Sequence, residues 1–325
     1  MKRRAQRGVA LITVLLVVAI VTVVCAGLIA RQQLAIRATA NQLQARQAWH
    51  YALGGEALAQ AILSRDLQAS GDPRSSTDHL LEAWAKPLPV FLIEQGEIAV
   101  RIEDLAGRFN LNSLVRNEQR NDQAVARFRR LLRNLEIQQP YAERLVDWLD
   151  ADQQADGESG AEDSQYLLLQ PAYRPANRRL EDVSELRLLL GMSEADYRRL
   201  APHVSALPSD AALNVNTASA LVLSCLSENL TPDTAQALIG ARGREGFRDM
   251  ASFTKQPVLG DSVPAEGLDV KSDYFRVISE VRLAERRQVL LSTLQRDAKG
   301  RVRVLQRDLG QPAFLPAPAT QEQKE

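Results

Sequence analysis

Seven carboxylates and no lysine or arginine lie between Asp147 and Asp163: Asp147, Asp150, Asp152, Asp156, Glu158, Glu162 and Asp163. Like charges at this density repel unless water solvates them or a cation bridges them. With Gly157 and Gly160 to let the backbone turn, the segment offers what a hard, oxygen-seeking ion such as calcium requires. An EF-hand starting at Asp150 fails, because Ala155 stands at its glycine position and Ala161 at its bidentate glutamate. The choice is between an irregular calcium site and a solvated acidic loop. For the first, Asp150, Asp152, Glu162 and Asp163 are the expected side-chain ligands, with backbone carbonyls filling the shell. Such an ion would be structural and tie down a long loop.

No other constellation points to chemistry. His50, His79 and His203 are scattered and fit no metal or triad spacing. There is no Gly-x-Ser-x-Gly elbow and no phosphate loop, so an enzyme is not expected. Asp147 and Asp150 stand one helical turn apart, but a carboxylate pair without a cleft is more often a cation site or a helix surface. Cys25 and Cys225 are too far apart in role to pair, one in an apolar run and the other far along the chain. The run Asn214-Val215-Asn216-Thr217-Ala218-Ser219, then Leu221 and Leu226, resembles the first helix of helix-hairpin-helix modules. Those modules hold DNA through the backbone amides of a Gly-x-Gly hairpin. The hairpin here, Ser227-Glu228-Asn229-Leu230, has no glycine and sets a carboxylate where phosphate would approach. The stretch Ala241 to Phe247 is basic, yet over the chain 40 Lys and Arg balance 40 Asp and Glu. That balance gives no electrostatic case for nucleic acid, and none is expected as a partner.

The elements that must position the acidic loop begin at the membrane. Residues Val9 to Ala30 form an uncharged apolar run of 22 residues, behind Lys2, Arg3, Arg4 and Arg7. As a helix this run crosses a hydrocarbon core of about 30 Å, and the basic flank holds the N-terminus in the cytoplasm. A secretory signal has its small-residue cleavage site after the apolar core. Here the small residue, Gly8, stands before it, so cleavage would remove a charged leader and keep the helix. Beyond Ala30 no proline occurs up to Asp66, and Leu34, Leu43, Trp49, Leu53, Leu58 and Ile62 recur near helical spacing, with Gly54-Gly55 as a place to bend. The helix is expected to end near Gly71-Asp72-Pro73.

Pro89 to Ile93 and Glu97 to Glu103 read as strands around a tight turn at Gln95-Gly96, and Arg108 to Asn112 as a further short strand. From Asn117 the pattern turns to short helices. Asn121 or Asp122, Pro140, Asp182, Ser193 and Thr231 stand at their starts. Tyr274 to Val281, Gln288 to Leu294 and Arg301 to Leu305 return to strand character, the last after a turn at Ala298-Lys299-Gly300. The last fifteen or so residues, with Pro312, Pro316 and Pro318, are expected to be disordered.

The layout Gly8-Val9-Ala10-Leu11-Ile12-Thr13 is that of the type IV prepilins and the pseudopilins that resemble them. Most of these carry a glutamate at position five of the mature chain, where it offsets the amine of a neighbouring subunit. Counting from Val9 that position is Thr13, which is neutral. A buried carboxylate in a membrane implies a partner, and a subunit with no neighbour above it needs none. The pseudopilin without that glutamate is the K protein of type II secretion, and the chain resembles that family over nearly its whole length. The likeness is densest at Val146-Asp147-Trp148-Leu149-Asp150-Ala151-Asp152, Gly160-Ala161-Glu162-Asp163, Tyr173-Arg174-Pro175-Ala176-Asn177, Asp182-Val183-Ser184-Glu185-Leu186 and Leu213-Asn214-Val215-Asn216-Thr217.

The resemblance implies an α+β fold: a long transmembrane and stem helix on a small antiparallel, pilin-like sheet, with a large all-α domain inserted between strands. On this reading the boundaries are a prepilin leader at 1–8, a transmembrane helix at 9–30 and a periplasmic stem helix at 31–70. The sheet takes 88–116 and 269–308, the insertion 117–268 in two parts of about 117–208 and 209–268, and the tail 309–325. The family includes calcium-bound members. It also implies cleavage between Gly8 and Val9 by prepilin peptidase, N-methylation of Val9, single-pass residence in the inner membrane and a tip complex with minor pseudopilins I and J. A tip subunit would prime the pseudopilus that exports folded proteins across the outer membrane. The alternatives from other classes are a membrane-anchored DNA-uptake receptor and a minor pilin of a type IV pilus.

Overall fold

The computed structural model describes residues 7–69 and 76–309. Most of the expected leader, the helix end at Gly71-Asp72-Pro73 and the tail from 310 onward lie outside the described residues. Helix α1, Arg7–Ala69, runs for 63 residues without a break, a length of about 95 Å. It is the one helix among the described residues that is long and apolar enough to cross a membrane. From Ala10 to Leu43 it is exposed, and its second half packs on a sheet.

The stripe that α1 buries is not the one its large residues suggest. Leu34 and Leu43 are exposed, and Trp49, Leu53 and Ile62 are only partly covered. Ala48, Ala52, Gly55, Ala59 and Leu63 form the buried line. Small side chains let the helix axis approach the strands. A Cβ at Gly55 would collide with the Ser279 hydroxyl and lie 2.9 Å from Val100 Cγ2. The glycine therefore serves close packing, and the helix continues through Gly54-Gly55.

The sheet has five antiparallel strands in the order β1 (Phe91–Ile93), β2 (Gly96–Asp104), β3 (Tyr274–Leu283), β4 (Arg286–Arg296) and β5 (Val302–Asp308). Strands β2 and β3 are neighbours in space, with Val100 opposite Ser279 and Ile102 opposite Val277, although the helical insertion separates them in the chain. Ile98, Val100, Ile102, Phe275, Val277, Val281, Leu290 and Leu294 alternate inward to meet α1. The opposite face carries cross-strand ion pairs, Arg282 with Glu97 at 3.0 Å and Arg287 with Glu280 at 2.8 Å.

The segment Arg108 to Asn112 does not extend this sheet. Phe109–Asn110 pairs in parallel with Val204–Ser205, and Phe109, Leu111 and Leu114 are buried against Phe128 and Leu131. Hydrophobic burial assigns these residues to the insertion, which therefore starts earlier than 117 and includes short strand pairs among its helices. Helix α2, Asp122–Asn134, starts at Asn121, whose side chain accepts the Ala124 N–H, and α3, Tyr141–Leu149, follows Pro140 directly.

The insertion holds two cores, one around Phe128, Leu145 and Tyr166, the other around Val215, Leu238 and Phe253. They are built on one repeated device. Phe109-Asn110-Leu111-Asn112-Ser113 opens the first unit and Leu213-Asn214-Val215-Asn216-Thr217 the second. In each, the first asparagine accepts the N–H of the second, at 3.2 Å for Asn110 and 2.9 Å for Asn214. Asn112 then accepts from Leu180 N at 2.8 Å and donates to the carbonyls of Leu180 and Leu207. Asn216 likewise accepts from Phe247 N at 2.7 Å and donates to Phe247 and Val270. Leu180 and Phe247 each stand two residues before an aspartate, Asp182 or Asp249, that caps the next short helix. A buried asparagine satisfied at both ends of its amide acts beside a two-residue parallel strand pair as the staple of each unit.

One buried polar network joins the insertion to the sheet and stem. Arg296 on β4 donates to Asp66 at 3.2 Å, to Asp78, and to the carbonyls of Ser272 and Leu63. Asn214 donates to Asp104 at 3.2 Å, to Ser272 Oγ at 2.8 Å and to the Asp78 carbonyl at 3.0 Å. Glu82 lies beside Asp66 and Asp78 and accepts from Trp84 Nε1 at 2.6 Å. Burial first, then the Asp66 charge, pushes its carboxyl up to about 7. The folded state thus keeps a proton that the unfolded chain releases near pH 4.5, so stability falls as pH rises from about 4.5 to 7. Glu82→Gln removes that proton, and its unfolding free energy is expected to change less over this window than the wild type's. Urea titrations of the detergent-solubilised chain at pH 4.5 and 7.5 would show it, and equal slopes for both proteins would refute it.

Candidate metal centre

Helix α3 delivers the acidic loop. Asp147, on its buried face, is fully shielded and accepts the backbone N–H of Asp156 at 2.8 Å and of Ala161 at 2.5 Å. These two bonds fold the loop back on the helix. Gly160 makes the return possible, since a Cβ there would strike the Asp147 carboxylate and come within 2.5 Å of Asp156 N. Gly157 takes the left-handed region at φ +69°.

The closed loop brings Asp150, Asp152 and Glu162 together, with one oxygen of each within 4.8 Å of the others. Glu162 is 4% exposed, its N–H held by Gln165, and both of its carboxylate oxygens are buried without a hydrogen-bond partner. Oδ1 of Asp150 and Oδ1 of Asn177 are orphaned in the same way. Asn177 is tied to the loop by its Nδ2, which donates to the Asp152 carbonyl at 3.2 Å. Burial first, then repulsion from neighbouring carboxylates, pushes Asp150 up to about 6 and Glu162 up to about 7. Asp147 rises to about 6 by burial in spite of its two backbone donors. An orphaned buried oxygen costs about 1–3 kcal/mol, and several converging carboxylates are unstable together without a positive charge. Three carboxylates and one amide oxygen, all hard donors, fit calcium in kind.

Three of the four expected ligands are therefore gathered and the fourth is not. Asp163, in the first turn of the short helix Asp163–Tyr166, pairs with Arg174 at 3.0 Å and lies outside the group. Asp156 is engaged by Arg120. Sequence reasoning missed Asn177, which is too far along the chain to be read with the loop. It also missed the clamping role of Asp147, whose place between Val146 and Trp148 on the buried side of α3 was the available signal.

The remaining candidate residues have structural settings. Gly8 and Val9 lie in the first turn of α1, and the Thr13 hydroxyl donates to the Ala10 carbonyl of its own helix at 2.9 Å. In the segment resembling a helix-hairpin-helix, Leu226 and Leu230 are buried, Asn216 is spent on backbone groups, Asn214 on Asp104, Ser272 and the Asp78 carbonyl, and Glu228 faces Arg130 at 3.8 Å.

Family models described as type II secretion system protein K match residues 107–209 and 213–271, the two units of the insertion in turn. Type II secretion system protein K of Pseudomonas aeruginosa is 59% identical over 325 residues, covering 98% of this chain and 97% of its own. The protein of the same name from Klebsiella pneumoniae is 36% identical, covering 90% of this chain and 94% of its own. Among solved structures, a chain in the GspK-GspI-GspJ complex from the type 2 secretion system of enterotoxigenic Escherichia coli superposes with a TM-score of 0.74 at 30% identity, covering 84% of this chain and 99% of the other.

Proposed function

The chain belongs to the type II secretion system protein K family, and from that premise we propose that this minor pseudopilin caps the pseudopilus and primes its assembly. In this reading α1 is a single span of the inner membrane with its N-terminus in the cytoplasm and the bulk of the chain in the periplasm. Prepilin peptidase cuts between Gly8 and Val9, and Val9 is N-methylated. The observation that carries the tip position is Thr13. Its hydroxyl is satisfied within α1, so the helix brings no carboxylate that would call for the amine of a subunit above it. The insertion, two cores wide at the end of the stem, agrees with a place where nothing stacks on top. The solved relative was crystallised with GspI and GspJ, which supports minor pseudopilins I and J as partners.

Calcium is the proposed ion of the acidic loop. Asp150, Asp152, Glu162 and Asn177 would hold it, and it would supply positive charge to the oxygens of Asp150, Glu162 and Asn177 that have no donor. Its role is to lock the loop on α3, with Asp147 as the organising group beneath.

Processing is tested by the intact mass of the membrane-extracted chain, with active and inactive prepilin peptidase. Loss of eight residues with gain of one methyl group, only where the peptidase is active, is the expected result. An unprocessed chain in both would remove the pseudopilin maturation step from the account.

A further inference from the structure

Helix α2 presents a second polar feature, independent of the acidic loop. Arg127, Arg130 and Asn134 follow at spacings of three and four and meet the second unit of the insertion. Arg127 donates to the carbonyls of Glu266 and Pro264, both at 3.2 Å, and Arg130 to the Cys225 carbonyl at 3.0 Å. Asn134 donates to Ser224 Oγ at 2.9 Å. All these acceptors are neutral. The Nε–H groups of both arginines are buried with no acceptor.

Arg127 is 8% exposed, and among the described residues no carboxylate stands within ion-pair distance of it. Glu266, whose carbonyl it binds, turns its carboxylate to Arg116 at 3.6 Å, and Glu228 reaches only Arg130. Burial, then the charge of Arg130, lowers the Arg127 guanidinium to about 10, so it is still a cation at neutral pH. A desolvated cation without a counter-charge is among the costlier arrangements a fold can hold.

A cavity of about 50 Å³ adjoins it, lined by Arg127 with Phe109, Asn121, Leu213, Cys225 and Gly267. We propose that this cavity, between the two units of the insertion, binds a small monoanion of chloride size, with Arg127 as its principal donor. The space is enough for such an ion, since a water needs only roughly 10–15 Å³ on the same measure. It is too small for a nucleotide, and Asp210 and Glu266 in the wall disfavour a multiply charged ion. The anion bridges a side chain of α2 in the first unit and the wall formed by the second, so its occupancy fixes how the two units sit on each other.

The test is thermal unfolding of the detergent-solubilised full chain as sodium chloride replaces sodium gluconate at constant ionic strength. The wild type is expected to gain about 2–4 °C in Tm, saturably, as bound ligand stabilises the native state. R127M should show no saturable gain, and R127K, which keeps the charge but not the planar donors, a weaker one. Equal chloride responses in wild type and R127M, or none in either, would overturn the proposal. Crystals grown in sodium bromide give a second readout that does not depend on a folded variant. An anomalous peak in the cavity beside Arg127 supports the site, and bromide only elsewhere on the surface contradicts it.

Discussion

Arg296→Met is expected to lower the unfolding free energy by about 3–5 kcal/mol, the range for breaking a buried ion pair by removing one partner. Arg296 is 3% exposed and meets two carboxylates, Asp66 and Asp78, and two backbone carbonyls, with Phe275 beneath its guanidinium at 4.9 Å. Methionine fills a similar volume but leaves Asp66, Asp78 and Glu82 facing one another without a cation. Those carboxylates stand on the end of α1 and on the segment leading to β1. The loss should therefore loosen the stem from the sheet and, through Asp78 and Asn214, from the insertion. Adding Asp78→Asn should recover part of the loss, because it removes one of the stranded charges. Urea denaturation of the solubilised chain measures both. A loss below about 1 kcal/mol for Arg296→Met would mean that the network is not what holds these parts together.

The second large effect concerns the acidic loop, and its sign depends on calcium. At free calcium a hundredfold above its dissociation constant, the wild type should gain about 2.7 kcal/mol over the chelated protein. Glu162→Gln should lose most of that gain. In chelator the same substitution should stabilise, because it removes a buried carboxylate that has no donor and repels Asp150 and Asp152. Calcium titration followed by thermal unfolding reads both signs at once. A stability that ignores calcium and chelator in the wild type would leave only a solvated acidic loop.

Much of the fold could be read from the sequence, where local chemistry decides. Charge-free length marks the first part of α1. Alternation marks β2 to β4, and capping residues such as Asn121 and Asp182 mark helix starts. What could not be read depends on distant partners. The alanine line of α1 looks unremarkable in a periodicity plot, and only the closeness of β3 gives Gly55 its meaning. Phe109 has strand character on its own, and its burial against Phe128 decides that it belongs to the insertion. In the loop, charge density pointed to Asp150, Asp152 and Glu162. Asp163 is drawn aside by Arg174, and Asn177 reaches the loop through a contact 25 residues away in the chain. The repeat of Asn-x-Asn at 110–112 and 214–216 went unread in the sequence, because the equal hydrogen bonding that gives it its role is seen only in the fold.

The tip position is the central claim, and it is tested by cysteine crosslinking in assembled pseudopili. Single cysteines on the exposed face of α1, at Leu34 and Leu43, and on the outer side of the insertion, at Leu168, would be probed in cells. The account predicts that the helix positions trap other pseudopilins, I and J among them, while Leu168 traps none. Efficient crosslinks from Leu168 to a major subunit, with neighbours on both sides of this chain, would place it in the shaft and contradict the account.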